Sequence, residues 1–249
     1  MLQLLIHSTL GYLLHPAIDL PRNKENLRVA DVGTGTGLWL GELSASLSRS
    51  AHLDGFDISP AQFPPSSWYG DNVSLSTLDI FKPLPEGLKG GYDVVHLRYF
   101  MTIARDDTIR VVLENLRGML KPGGYIQWVE RDWLSKFPTE ASETDDVNTQ
   151  LNGFLQRAFP STNWITTLPA HFTQTGLSVV AEDRHAPLPM YRQAWNQDQL
   201  NGTREFGEGI RDVEERKRFF EVHERAVAEA GRGWCVEWEL IVCVGRKEG

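Results

Sequence analysis

An α/β architecture built on a parallel sheet is the fold class this sequence predicts, and three observations carry the prediction. Short β-rich runs alternate with helix-length segments from about residue 28 to residue 131. The first of these runs, "LRVADVG", is continuously apolar apart from its charges at Arg28 and Asp31. It passes into a candidate helix through "VADVGTGTGLW", where Gly33, Gly35 and Gly37 occupy alternate positions.

Taken in order, "LRVADVG" is the first strand and "GLWLGELSASLSR" the helix after it. "AHLDGFDIS" reads as the second strand. The connection that follows, "PAQFPPSSWYGDN", carries three prolines and is expected to be loop with little helix. "VSLSTLDIF" is the third strand and "YDVVHLRYF" the fourth. Ile109, Val112, Leu113, Leu116 and Leu120 then recur at three- and four-residue intervals, giving a helix with one apolar face that "KPGG" is expected to end at Gly123 or just before. "YIQWVERD" is the fifth strand.

The second half is less regular. "ETDDVNTQLNGFLQRAF" reads as an inserted helix, "LPAHFTQTGL" as a shorter one stopped by Gly176, and "SVVAEDRH" as a sixth strand. A long helix follows around "RDVEERKRFFEVHERAVAEAG", with Val213, Phe220 and Val227 seven apart, and "WCVEWELIVCVGRK" closes the chain as an apolar strand. The expected organisation is one domain over residues 1–249: an N-terminal cover (1–27), a ligand-binding half (28–131), and cap helices with the last strands (132–249).

Composition narrows the function classes. The 249 residues are 41% hydrophobic and 23% charged, as in ordinary globular domains. A formal net charge of −8 without a Lys/Arg stripe argues against a nucleic-acid partner. Two cysteines, Cys235 and Cys243, are too few for a disulfide framework or a four-ligand zinc site, and the scattered His171, His185 and His223 lack metal-ligand spacing. No metal site is therefore expected. The apolar N-terminus lacks a basic n-region and a cleavage site, and it is too interrupted to span a bilayer, so a cytoplasmic, membrane-free protein is expected.

A glycine-rich turn between strand and helix lets a ligand approach backbone N–H groups at a helix N-terminus. NAD, FAD, nucleotides and S-adenosylmethionine all fit that much. The dinucleotide fingerprint wants its third glycine three positions after the second, where this chain has Leu38, and no Lys-Ser/Thr pair follows as a P-loop requires. Asp57 ends the second strand, 20 residues beyond Gly37, where a carboxylate can accept from ribose hydroxyls; a helix cap is its alternative role. Asp79 ends the third strand, where a plain turn aspartate is the alternative.

With Asp31, Gly33, Gly35, Gly37, Asp57 and Asp79 in order at successive strand ends, the chain resembles the class I S-adenosylmethionine-dependent methyltransferases. "YLLHPAI", "ADVGTGTGLWL", "DVVHLRYF" and "LKPGGYIQWVE" make it similar to fungal secondary-metabolism methyltransferases of the velvet-complex-regulator type. The resemblance implies a Rossmann-like seven-stranded, mostly parallel sheet with one reversed strand, helices on both faces and helical cap insertions. It implies S-adenosylmethionine as cofactor, held by Asp31, the three glycines, Asp57, Ile58, Asp79, Ile80, His96 and Arg98, with Asp79 at the adenine amino group and Ile80 against the ring. The family carries more sequence before its first strand, which implies a shortened N-terminal cover here.

At the fourth-strand end, His96 is the candidate general base, with a structural histidine as its alternative. Arg98 is read as a binder of a carboxylate of cofactor or substrate, with a surface ion pair as the alternative. Glu130 and Asp132 are second-choice bases, read more readily as exposed turn charges. Trp133, Phe137, Trp164, Tyr191 and Trp195 either line an acceptor pocket or form the core of the added helices, and Tyr12 either covers the cofactor or packs. The function implied is methyl transfer to an O, N or S atom of a small hydrophobic or aromatic metabolite. Cyclisation, isomerisation or a regulatory role on the same fold are the alternatives. The sequence leaves the oligomeric state open.

Overall fold

The computed structural model describes residues 2–20, 26–138, 145–159, 162–233 and 236–249. In chain order the elements are α1 (Leu2–Leu10), β1 (Arg28–Val32), α2 (Leu38–Ser46), β2 (His52–Asp57), β3 (Val73–Thr77), β4 (Tyr92–Arg98), α3 (Ile109–Met119) and β5 (Leu120–Pro138). There follow α4 (Asp145–Ala158), α5 (Leu168–Gln174), β6 (Leu177–His185), α6 (Arg192–Glu208), α7 (Val213–Ala230) and β7 (Val236–Lys247). The strands form one seven-stranded sheet in the order β3-β2-β1-β4-β5-β7-β6, mostly parallel with one strand reversed. The pairs β1–β2, β1–β4, β2–β3 and β4–β5 are all parallel.

Two compact units divide the chain. One holds residues 11–131, 161–184 and 240–249; the other holds 1–10, 132–160 and 185–239. In the first, β1 and β4 are buried from Val29 to Val32 and from Tyr92 to Leu97, as central parallel strands require. α3 buries Ile109, Val112, Leu113, Leu116 and Met119 along one stripe. In the second, Val147 and Leu151 of α4, Leu200 of α6 and Phe219, Val222 and Ala226 of α7 form one buried cluster. Gly207 allows α6 and α7 to approach, since a Cβ there would lie 2.3 Å from the Phe219 ring.

Several local expectations change. α3 ends at Met119, not at Gly123. Leu120 is already extended and pairs with Tyr92, and the ladder resumes only at Val94–Tyr125, so "KPGG" is an irregularity in β5. The proline-rich connection after β2 holds two one-turn helices, Pro60–Gln62 and Ser66–Trp68, as its composition leads one to expect. α1 and α6 are helices that the sequence pattern does not mark. On α7, Val213 and Val227 are exposed, and the buried stripe is Phe219, Val222, His223 and Ala226. The side chains of Trp133, Phe137 and Cys235 lie outside the described residues; Cys243 is a buried free thiol.

Candidate functional site

Strand order sets the location. β1 lies between β2 and β4, whose connections run in opposite directions from it, and in an open parallel sheet such a reversal leaves a crevice at the carboxyl ends of the strands. A cleft of about 290 Å³ opens there. Val32, Gly33 and Gly35 line it after β1, Asp57 and Ile58 after β2, Asp79 and Ile80 after β3, and Arg98, Tyr99, Phe100 and Ile103 after β4. Seven of the residues anticipated from the sequence therefore meet in one cavity: Gly33, Gly35, Asp57, Ile58, Asp79, Ile80 and Arg98. Gln62, Leu78, Phe81, Tyr99, Phe100 and Ile103 join them without having been singled out.

The glycine loop is shaped by packing as much as by a ligand. Gly33 has φ 72°, and a Cβ on it would lie 2.5 Å from the Phe100 ring. Gly37 does not line the cleft; it sits at the start of α2, where a Cβ would meet the Tyr69 hydroxyl at 3.1 Å and Leu75 at 3.2 Å. The Tyr69 hydroxyl donates to the Thr36 carbonyl, so the proline-rich connection docks on this loop. Four of the loop amides are already committed: Gly33 and Thr34 donate to the Phe56 carbonyl, Gly37 to the Thr34 carbonyl, and Gly35 to Asp57 Oδ2 at 2.9 Å. A pyrophosphate held by free N–H groups finds few of them here. A neutral nucleoside wedged against the loop needs none.

Asp31 and His96 lie beneath the loop, outside the lining of the cleft. The Asp31 carboxylate accepts from Thr34 Oγ1 at 2.8 Å and pairs with His96 Nδ1 at 2.7 Å. With the carboxylate as acceptor, Nδ1 carries the hydrogen. The imidazole is only 1% exposed and stacks on Trp39, with centroids 3.8 Å apart and an interplanar angle of 7°. Burial pushes its pKa below the ordinary value, against the pull of Asp31. The cleft-facing base anticipated from the sequence is thus placed by the structure as a neutral, buried partner of Asp31.

Asp57 lines the cleft, and the cap of the one-turn helix after it is Ser59, whose side chain accepts from Ala61 N. Asp57 Oδ1 accepts from Ser59 N at 3.3 Å. Asp79 likewise lines the cleft while accepting from Phe81 N and pairing with Lys82 at 3.3 Å. Arg98 faces the same cavity. Burial works against its charge while Asp31, Tyr99 and Glu42 favour it, and a guanidinium keeps its proton in such surroundings.

Glu130 and Asp132 are not exposed turn charges; both are buried, at 0% and 3% exposure. Burial pushes the Glu130 carboxyl up to about 8, although the Trp128 indole and nearby backbone amides oppose the shift. Trp164 is fully buried and tilted against Trp128 at 5.3 Å within the sheet-bearing unit, and Trp195 is buried edge-on to Trp238 at 4.5 Å in the other. Neither these two nor Tyr191 line the cleft, and Tyr12 packs edge-on to His15 at 5.1 Å instead of covering it. Among the described residues there is no cluster of His, Cys, Asp or Glu suited to a metal ion, and no helix is long and apolar enough to cross a membrane.

Residues 30–126 match the methyltransferase domain family. Curated fungal relatives include methyltransferase grgD of a Penicillium species, 37% identical over 147 residues, covering 55% of this chain and 50% of that protein. The N-methyltransferase tcpN of Claviceps purpurea is 37% identical over 126 residues, covering 50% and 44%. The secondary metabolism regulator LAE1 of Hypocrea atroviridis is 31% identical over 134 residues, covering 51% and 36%. The chain spans about half or less of the length of these relatives. Among solved structures, phosphoethanolamine N-methyltransferase 2 of Haemonchus contortus, in complex with S-adenosyl-L-methionine, superposes with a TM-score of 0.54 at 15% identity, covering 91% of this chain and 50% of that one.

Proposed function

We propose, from the match of residues 30–126 to the methyltransferase domain and from the sheet order, that this class I methyltransferase fold binds S-adenosylmethionine in its cleft and presents the methyl group to a small-molecule acceptor. One observation carries the proposal: Asp57 and Asp79 face a cavity whose two lining glycines, Gly33 and Gly35, already donate their amides within the protein. That combination suits the hydroxyls and amino group of an adenosine better than a phosphate. Asp57 would hold the ribose, Asp79 and Ile80 the adenine, and Arg98 a carboxylate of cofactor or acceptor.

When bound, the sulfonium supplies an activated methyl carbon. The residues of this chain then have to orient and exclude water. Gly33 lets Phe100 close on the loop, and Ile58, Phe81 and Ile103 give the cleft apolar walls that keep water from the ligand. Among the described residues no histidine lines the cleft, and its carboxylates, Asp57 and Asp79, are taken up by the adenosine in this reading, so an acceptor atom that needs no base at neutral pH is favoured. The relatives named N-methyltransferases support nitrogen, and the fungal relatives as a group support a secondary metabolite.

Calorimetry with S-adenosylhomocysteine and with NAD tests the binding. The wild type should bind the first in the micromolar range typical of enzyme substrates and not the second. Asp57→Ala should abolish binding, because the ribose loses its acceptor and Gly35 N its partner. Undiminished affinity in that variant, or NAD binding by the wild type, refutes the assignment. Product mass then separates methyl transfer from a cyclisation on the same fold, since only the former adds a methylene unit.

A further inference from the structure

We infer that Glu130 is a positioning residue: its carboxyl fixes the turn that follows β4, and with it the wall of the cleft made by Tyr99, Phe100 and Ile103. The inference rests on the preceding reading only for what that wall touches.

Tyr99 N donates to the Val129 carbonyl of β5, and Ile103 N and Ala104 N both donate to the Phe100 carbonyl, which leaves Phe100 N without a backbone acceptor. Tyr99 holds a left-handed conformation, φ 56°, which disfavours a side chain of its size. The helix that follows, Phe100–Thr102, is a single turn without a side-chain cap from Tyr99, leaving its first amide to find an acceptor elsewhere. Glu130 provides one from the neighbouring strand. Its Oε1 accepts from Phe100 N at 2.6 Å and also from Trp128 Nε1 at 2.8 Å. Trp128 in turn meets the Phe100 ring edge-on at 6.0 Å. The Phe100 ring occupies the space that a Cβ on Gly33 would fill. Beside the Tyr99 N–Val129 O bond, this carboxyl oxygen ties the cleft wall after β4 to β5 at Phe100 and, through the Phe100 ring, to the glycine loop after β1.

Retaining the group has a cost. Glu130 is fully buried, and its Oε2 has no hydrogen-bond partner among the described residues. An apolar residue of similar volume would avoid that penalty but could not accept from Phe100 N. Glu130 does not line the cleft, so it cannot act on a reacting atom there. What it can determine is where Phe100 stands.

Two variants of the full chain test this. In Glu130→Leu, hydrogen exchange of the amides from Tyr99 to Ala104 should accelerate roughly tenfold while β1 and β2 exchange as before, and S-adenosylhomocysteine should bind several-fold more weakly. Glu130→Gln keeps a carbonyl oxygen for Phe100 N and should restore both. Unchanged exchange in Glu130→Leu, or no rescue by glutamine, overturns the inference. Should the leucine variant fail to fold, the wild type still decides: Phe100 N must be protected as strongly as β5 amides, and exchange at an open-turn rate overturns the inference. Exchange needs no ligand, so a wild type that ignores S-adenosylhomocysteine sinks the proposed function and leaves the role of Glu130 to be judged separately.

Discussion

Gly33 combines a left-handed backbone, φ 72°, with a Phe100 ring carbon 2.5 Å from where its Cβ would stand. Gly33→Ala should therefore cost about 2–4 kcal/mol by urea denaturation, the sum of backbone strain and overpacking. The double variant with Phe100→Leu should recover the overpacking part. Gly35→Ala meets only the end of the flexible Gln62 side chain, at 3.2 Å, and should cost about 1–2 kcal/mol from its backbone alone. The glycine spacing is legible as a motif, but which glycine makes room for protein and which for ligand is a tertiary fact. His96 shows the same limit. Its place at a strand end is visible in sequence, whereas its burial under Trp39 and its bond to Asp31 are not. His96→Gln should leave the turnover number within about tenfold of wild type, where loss of a general base would remove 10²–10⁴-fold. A larger drop in a folded variant returns His96 to the chemistry.

At the level of elements, legibility follows how closely burial tracks hydrophobicity. α3 is readable because its buried stripe is Ile109, Val112, Leu113, Leu116 and Met119, all apolar. α6 is not, because its buried positions are Trp195, Asn196, Gln199, Leu200, Thr203 and Gly207, mostly polar or small, so no apolar period marks them. On α7 the seven-residue repeat of Val213, Phe220 and Val227 misleads: the valines face solvent, and Phe219 fills the core between Phe154, Phe206 and Gly207. Phe219→Ala should accordingly cost about 3–5 kcal/mol in denaturant midpoints multiplied by m. Val213→Ala and Val227→Ala should each stay within about 0.5 kcal/mol. Equal effects at all three positions would mean that the repeat, and not Phe219, marks the packed face.

For the molecule as a whole, the parallel sheet and the placing of Gly33, Asp57 and Asp79 at successive strand ends were legible in the sequence, whereas the order β3-β2-β1-β4 that gathers them in one cleft is a tertiary fact. The buried charge of the fold was not implied, because "WVERD" reads as a strand end meeting solvent while Glu130 lies fully inside. That misplaced carboxyl has a global consequence. Its pKa rises from 4.5 to about 8 on folding, so below about pH 4.5 both states hold the proton and Glu130 contributes no pH dependence. Above that, the unfolded chain loses the proton first, and stability falls until the folded carboxyl also ionises near pH 8. Two other groups bend the curve differently. His96, lowered from 6.5 by burial, makes the fold more stable as pH rises toward that value. Asp54 is opposed by burial but held below 3.8 by Ser74, Arg28 and Tyr92, and it acts only at acid pH. The useful measurement is therefore a difference: melting temperature of wild type minus Glu130→Gln, followed from about pH 5 to pH 9. It should decline steadily through neutrality and level off above pH 8. A difference that is flat, or that rises with pH, would mean that folding does not hold the proton on Glu130.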